Sequence, residues 1–321
     1  MTKILFIGDI HGKNKSPLNR LKDYNEDLFT KLRWIVDFCA KEEVAACIHL
    51  GDIHDKTDAT DEWKNQFIQV CRGFTCDFYT IIGNHDLPYN NDQLYYKTCL
   101  RNLELSGAIQ ILREPLEYLG LRIVPVPYDL SKAKQFIVND YLSQKGGTYS
   151  IYLAHHFYEF GLQKNQGFVE SDFEETKGFK AALVLGHDHR QFDTITVNDM
   201  SIFRPGSLMR TELSEATIPM HPRILLYDNE SVLSSWRYVN VPHRDINEIY
   251  DVADYRARKT GANYFKQISN ALDNMDKYLK ADSVSMISCS DALKELNCPK
   301  EEYDYLRLVY SQCNQQFSSN L

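Results

Sequence analysis

Lys3-Ile4-Leu5-Phe6-Ile7-Gly8-Asp9-Ile10-His11 and, far downstream, Ala181-Ala182-Leu183-Val184-Leu185-Gly186-His187-Asp188-His189 share one design. Each is a short apolar run, a glycine, then two ligand-type side chains two residues apart. A run this short and this apolar reads as a strand buried on both faces. The design recurs between them: Val44 to Leu50 precede Gly51-Asp52, Tyr79 to Ile82 precede Gly83-Asn84-His85-Asp86, and Ser150 to Ala154 precede His155. Buried strands that each end in a polar residue set those residues along one rim of a sheet, where open α/β folds carry their sites. The spacing of two makes Asp9 and His11, and again His187 and His189, point the same way from an extended chain.

The residue types point to a pair of metals acting on a phosphate ester. Two divalent ions about 3.5–4 Å apart can clamp the attacking and leaving oxygens and produce a nucleophile from water near neutral pH. Such a pair needs a bridging carboxylate, and Asp52, alone on its strand end, is the natural candidate. Imidazole, carboxylate and amide oxygen together suit Mn²⁺, Fe²⁺, Co²⁺ or Zn²⁺ better than an all-oxygen Ca²⁺ site. Of the adjacent His155 and His156, His155 is the better ligand because it follows the apolar strand directly; His156 would face away if that strand continued.

Taken together, Gly8-Asp9-Ile10-His11, Gly51-Asp52-Ile53-His54-Asp55, Gly83-Asn84-His85-Asp86, His155 and Gly186-His187-Asp188-His189 resemble the calcineurin-like metallophosphoesterase superfamily over residues 1 to about 240. The resemblance implies a four-layer αββα sandwich of two mixed sheets. It implies that Asp9, His11 and His189 hold one ion and Asn84, His155 and His187 the second, with Asp52 bridging. His85 would be no ligand but would contact the scissile phosphate and help the leaving group depart, with the Asp55 carboxylate orienting it. Mn²⁺ heads the expected ions, ahead of Mg²⁺, Fe²⁺, Co²⁺ and Zn²⁺.

Within the superfamily, Phe203-Arg204-Pro205-Gly206-Ser207-Leu208-Met209-Arg210 is similar to the Pro-Gly-Ser segment that closes the site in SbcD-type DNA-repair nucleases. Those work with an SMC-like ATPase, SbcC. That resemblance implies DNA as substrate, such an ATPase as partner, and a second copy of the chain as a further candidate partner. Gly8-Asp9-Ile10-His11-Gly12 matches how Ser/Thr protein phosphatases begin, but Asp52-Ile53-His54-Asp55-Lys56-Thr57 and Gly-Asn-His-Asp depart from their continuation. Two other readings stay open: a stand-alone phosphodiesterase or phosphatase acting on a small nucleotide, and a non-catalytic scaffold. All the ligand positions and His85 being present argues against the scaffold.

Composition sets the frame. The 321 residues are 43% hydrophobic and 25% charged, ordinary for a globular protein with a real core. Net charge is −8, so a DNA-binding surface requires a local basic patch or a partner, since affinity for phosphates comes from Lys and Arg. Lys13, Lys15, Arg20 and Lys22 either line the cleft or form a solvated loop. The eight cysteines lack C-x-x-C spacing and read as free thiols. With a strand at the very start and no apolar stretch near 18 residues, the expectation is a reduced, cytoplasmic protein with no signal peptide and no membrane contact.

Strand and helix alternate over residues 1–112, with helices expected near 25–42, 61–72 and 92–105 and another at 131–143, which implies a parallel sheet with covering helices. After Gly186 the pattern changes to hairpins, turning at Asn198-Asp199 and Asp228-Asn229. Pro242 to Asp245 marks a boundary between a nuclease domain, 1–242, and a helical segment, 243–321. That segment, with helices expected at 246–258, 262–280, 290–297 and 300–317, would dock a partner or form a shortened cap.

Overall fold

The computed structural model describes residues 2–17, 20–144, 148–159, 167–176, 178, 180–229 and 235–260. The chain runs β1 (Lys3–Ile7), α1 (Tyr24–Glu42), β2 (Ala46–His49), α2 (Asp61–Cys71), β3 (Asp77–Thr80), α3 (Cys99–Leu105), β4 (Gln110–Ile111), β5 (Leu116–Tyr118) and β6 (Leu121–Pro125). It continues through α4 (Leu130–Ser143), β7 (Ser150–Ala154), the short β8 (Phe157–Tyr158) and β9 (Gly167–Phe168), β10 (Ala181–Leu185), β11 (Ile195–Val197), β12 (Met200–Phe203), β13 (Arg223–Asp228), β14 (Ser235–Asn240) and α5 (Ile246–Ile249).

Two six-stranded mixed sheets result, ordered β14-β13-β1-β2-β3-β4 and β11-β12-β10-β7-β6-β5. Strands β1 to β4 pair in parallel, as do β12, β10, β7 and β6. The period-2 alternation of a strand splits each apolar run between two interiors. From β1, Ile4 and Phe6 enter the core between the sheets with Ile48, Ile151 and Val184. Leu5 and Ile7 face the other way, against Leu28, Leu32 and Ile35 of α1 and Phe67 of α2. On the far side, Tyr152, Leu183 and Leu185 pack against Ala133 and Ile137 of α4. Burial on both faces, worth about 1.5–3 kcal/mol for each large apolar side chain, is why the strands read as continuous hydrophobic runs. The architecture is the expected αββα sandwich.

Helix boundaries follow their caps. Asp23 accepts the Glu26 N–H to open α1, and Glu43 closes it in a left-handed conformation at φ 56°. The helix expected over 92–105 is interrupted. A 3₁₀ turn spans Asp92–Lys97, and Thr98, extended at φ −97°, caps α3 by accepting the Arg101 N–H.

The compact unit also runs past the expected break after 242, to Asp251. The Leu21 N–H donates to the Ile249 carbonyl at 2.7 Å, and Arg20 bridges to Tyr250, so the chain after Pro242 returns to the first loop. The helix expected over 246–258 stops at Ile249, breaks at the extended Tyr250, and resumes over 252–260. The helices expected at 262–280, 290–297 and 300–317 lie outside the described residues, as do Cys289, Cys298 and Cys313. Cys39, Cys47, Cys71, Cys76 and Cys99 are free thiols. Among the described residues, no helix is long and apolar enough to cross a membrane.

Candidate metal centre

The parallel strands β1, β2, β3, β7 and β10 all end on one rim, and the ligand-type residues follow them within a few positions. Three adopt backbone conformations that non-glycine residues rarely hold: His11 at φ 44°, Asp52 at φ 59° and His187 at φ 77°. Such strain persists where the surroundings over-determine it, and it concentrates at functional sites. The loops lock one another. Asp52 O accepts the His11 N–H at 3.0 Å, and Asp9 Oδ1 accepts the His187 N–H at 3.0 Å. Gly83 is required by close approach, because a Cβ there would overlap the Asp52 carboxylate.

The side chains converge in two clusters. His11 Nε2 and His189 Nε2 lie 2.8 Å apart, each 3.6 Å from Asp9 Oδ2. On the other side His155 Nε2 lies 3.2 Å from Asp52 Oδ2 and 3.0 Å from Asn84 Oδ1, and His187 completes a set with Asp52 and His155 whose ligand atoms lie within 4.8 Å of one another. Asp52 Oδ2 is also 3.6 Å from His11 Nε2, so this one oxygen reaches both clusters. Donors bound to one ion at about 2.0–2.2 Å sit roughly 3–4 Å apart, the range seen here. Two imidazole nitrogens facing each other at hydrogen-bond distance, with carboxylate oxygens around them, form a donor set that fits first-row divalent ions. Of the adjacent histidines it is His155 that faces Asp52; the His156 ring stacks on Tyr128 and hydrogen-bonds the Pro127 carbonyl at 3.0 Å.

His85 sits beside both clusters. Its backbone N–H donates to Asp52 Oδ1 at 2.8 Å, and its ring lies edge-on to His11. Its Nδ1 meets the backbone carbonyl of Asp55 at 2.7 Å. The expectation that the Asp55 carboxylate orients this ring is therefore corrected: that carboxylate pairs with Lys13 Nζ at 2.8 Å. A carbonyl only accepts, so Nδ1 carries the proton and Nε2 is the nitrogen left for other work. Of the four basic residues expected near the cleft, Lys13 is there, whereas Arg20 turns inward onto Asp27. Lys15 and Lys22 stay exposed.

Electrostatics match a site built for cations. Burial alone would raise the Asp9 carboxyl; His155, His11 and His189 outweigh it and hold it well below the usual carboxylate range. Burial likewise opposes the charge on His155, but Asp52 and Asp9 push that imidazole up to about 10. Burial and the neighbouring His155 lower His187 to about 4.

Several supporting residues received no role from sequence, or one no finer than closing the site. Asp86 Oδ2 accepts both the Asp52 and Gly83 N–H groups at 2.9 Å, and burial followed by the Asp52 charge raises its carboxyl to about 7. Asp188, between the two histidines of its motif, pairs with buried Arg204 at 2.5 Å. The Leu208 N–H and Ser207 hydroxyl bond the Asp9 carbonyl at 2.9 and 3.0 Å, so the Pro-Gly-Ser segment clamps the end of β1. The motif positions of Asp86 and Asp188 and the Pro-Gly-Ser segment hinted at such roles; the choice of Arg204 as partner to Asp188 has no sequence signal.

The sequence profile of the calcineurin-like phosphoesterases matches residues 2–191. The chain is 28% identical over 254 residues to the DNA double-strand break repair protein Mre11 of Sulfolobus acidocaldarius, covering 76% of this chain and 64% of that protein. It is 29% identical over 210 residues to the protein of the same name from Saccharolobus solfataricus, covering 63% of this chain and 53% of the other. The chain thus spans between half and two thirds of these relatives. Among solved structures, a dimetal phosphatase from Danio rerio superposes with a TM-score of 0.53 at 12% identity, over 76% of this chain and 99% of that one, a likeness of fold alone.

Proposed function

Because the chain belongs to the calcineurin-like phosphoesterase family, we propose that it is a metal-dependent DNA nuclease of SbcD type that hydrolyses phosphodiester bonds. The observation that carries the metal-dependent hydrolysis is the position of Asp52 Oδ2, which is shared between two donor clusters. In this reading Asp9, His11 and His189 hold one divalent ion, Asn84, His155 and His187 hold the other, and Asp52 serves both, with Mn²⁺ the ion best suited. Two such ions supply positive charge that polarises the phosphate and eases deprotonation of water.

The chain's own residues supply positioning and proton transfer. Asp86 fixes the turn that presents Asp52, and Thr211 Oγ1, 3.2 Å from His189 Nδ1, orients that ring. His85, its Nδ1 N–H held on the Asp55 carbonyl, would as the imidazolium give its Nε2 proton to the departing 3′ oxygen and be left as neutral imidazole. DNA as the substrate is supported by the similarity to proteins named for double-strand break repair and by the Pro-Gly-Ser clamp. An SMC-like ATPase that docks on the segment after 243, and a second copy of the chain, are proposed as partners; residues 261–321 lie outside the described residues.

The test is hydrolysis with Mn²⁺ of labelled linear DNA, bis-p-nitrophenyl phosphate and cyclic nucleotides. Degradation of DNA, lost in His85→Ala, supports the nuclease. Turnover of only the small esters moves the protein to the stand-alone phosphodiesterases, and no turnover of any of them leaves the scaffold.

A further inference from the structure

On the Asn84 and His155 side of the centre, between the rims of the two sheets, lies a cavity of 710 Å³ that the hydrolytic chemistry does not use. A chamber of this size accommodates a small organic group. Tyr128, in the loop after β6, joins it to the centre: the residue lines the cavity, and its ring lies 6.5 Å from that of His155 and stacks on His156 at 5.8 Å. Tyr95 and Phe136 add aromatic wall.

The charges say what the cavity does not hold. Its two cations are already engaged, Arg113 with Glu104 at 2.5 Å and the Tyr95 ring, Lys132 with Asp129 at 3.4 Å. Asp92, Glu114 and Asp129 outnumber them in the wall. A phosphate is disfavoured there, whereas a flat, uncharged, hydrogen-bonding ring fits aromatic walls and scattered polar groups. A second observation lies beside the wall residue Asn90. Tyr89 and Asn90 both hold left-handed backbone at φ 54°; Asn90 lines the cavity, and Tyr89 is 95% exposed. An exposed aromatic ring on left-handed backbone, next in the chain to a residue of the cavity wall, is a feature that packing does not explain.

We propose that this cavity receives a nucleobase of the substrate strand next to the phosphate held at the metal centre, with Tyr128 as the stacking surface and Tyr89 at the entrance. This rests on the nuclease reading and narrows it. A base can enter only when it is out of the duplex stack, so the favoured substrate is single-stranded or frayed DNA.

The test uses the full chain with Mn²⁺ and two single-stranded oligonucleotides, one carrying 2-aminopurine and one abasic at the same position. The wild type should bind the base-bearing strand more tightly and quench its fluorescence. Tyr128→Leu and Tyr89→Ala should each weaken that binding, by roughly 5- to 150-fold for Tyr128→Leu, and leave the affinity for the abasic strand where it was. Equal binding of intact and abasic strands by the wild type, or equal weakening of both by the variants, overturns the proposal. A free deoxynucleoside monophosphate binding as tightly as the strand overturns its assignment to a strand. Wild-type hydrolysis of methyl p-nitrophenyl phosphate reports on the centre separately. Base discrimination without hydrolysis removes the nuclease reading alone, and hydrolysis of DNA without discrimination removes the base site alone.

Discussion

Two clusters of buried charge flank the Pro-Gly-Ser segment, and they are built on opposite principles. On one side Leu208 and Ser207 hold the Asp9 carbonyl at the rim, where acceptors converge on one another. His11 Nε2 and His189 Nε2 face each other at 2.8 Å, and among the described residues His11 Nδ1 has no hydrogen-bond partner. On the other side, beneath α1, the charges are paired or bonded. Arg20 meets Asp27, Arg244 reaches Asp27 at 3.5 Å, Arg210 donates to the Thr217 and Met220 carbonyls, and Lys31 donates to the Leu208 carbonyl at 3.1 Å. Buried polar groups normally find partners. A cluster that satisfies itself is structural, and one whose imidazole and carboxylate atoms converge on one another fits a divalent ion.

The largest effect should come from Asp52→Asn, which removes the oxygen common to both donor sets. Turnover should fall by at least about 10³-fold. Added Mn²⁺ should raise the wild-type Tm by binding only the folded state and raise that of the variant far less, as differential scanning fluorimetry would read. A variant that still binds two ions per chain would break the contrast on the rim side. Next is His85→Ala: turnover should drop by about 10²–10⁴-fold while elemental analysis still finds the wild-type metal content, because this ring sits beside the donor sets.

Smaller still, and confined to stability, is Asp27→Asn. Stripping the carboxylate from the Arg20 pair should cost about 3–5 kcal/mol in urea unfolding, with metal content unaltered in the folded protein. If Asp27→Asn emptied the centre instead, the two clusters would be one network and the distinction would fail.

The finest test is the pH dependence of Lys31→Met. Burial lowers the Lys31 amine to about 7, against 10.5 for the free side chain. Below pH 7 both folded and unfolded chains carry this proton, so the difference between wild type and variant is flat. Between pH 7 and 10 the unfolded chain binds a proton that the folded chain does not. Wild-type stability should therefore rise relative to the variant by up to about 1.4 kcal/mol per pH unit. Parallel stability curves from chemical denaturation across that window would show that Lys31 stays charged when folded.

Much of the centre was legible because its information is local. An apolar run, a glycine and a ligand-type residue occupy adjacent positions, and a strand buried on both faces has no other way to be written. That pattern led to the choice of His155 over His156 and to Asp52 as the candidate bridging carboxylate, and the resemblance it carries led to the sandwich. The interrupted helix at Thr98 was less legible, since the apolar pattern runs through a residue that the backbone uses as a cap. Asp55 meets His85 through its backbone carbonyl and Lys13 through its carboxylate, a division no sequence pattern supplies, because sequence names residues and hydrogen bonds choose atoms.

The sequence by itself determined which side chains stand at the strand ends and in what order, since propensity, periodicity and spacing act over a few residues. Only the tertiary structure decided what those side chains meet. The Lys13–Asp55 pair, the Asp188–Arg204 pair, the return of Tyr250 to Arg20 and the cavity behind Tyr128 join residues far apart in the chain or on different elements. They arise from how two sheets pack face to face and which loops are thereby brought to one rim, a relation that no local pattern encodes.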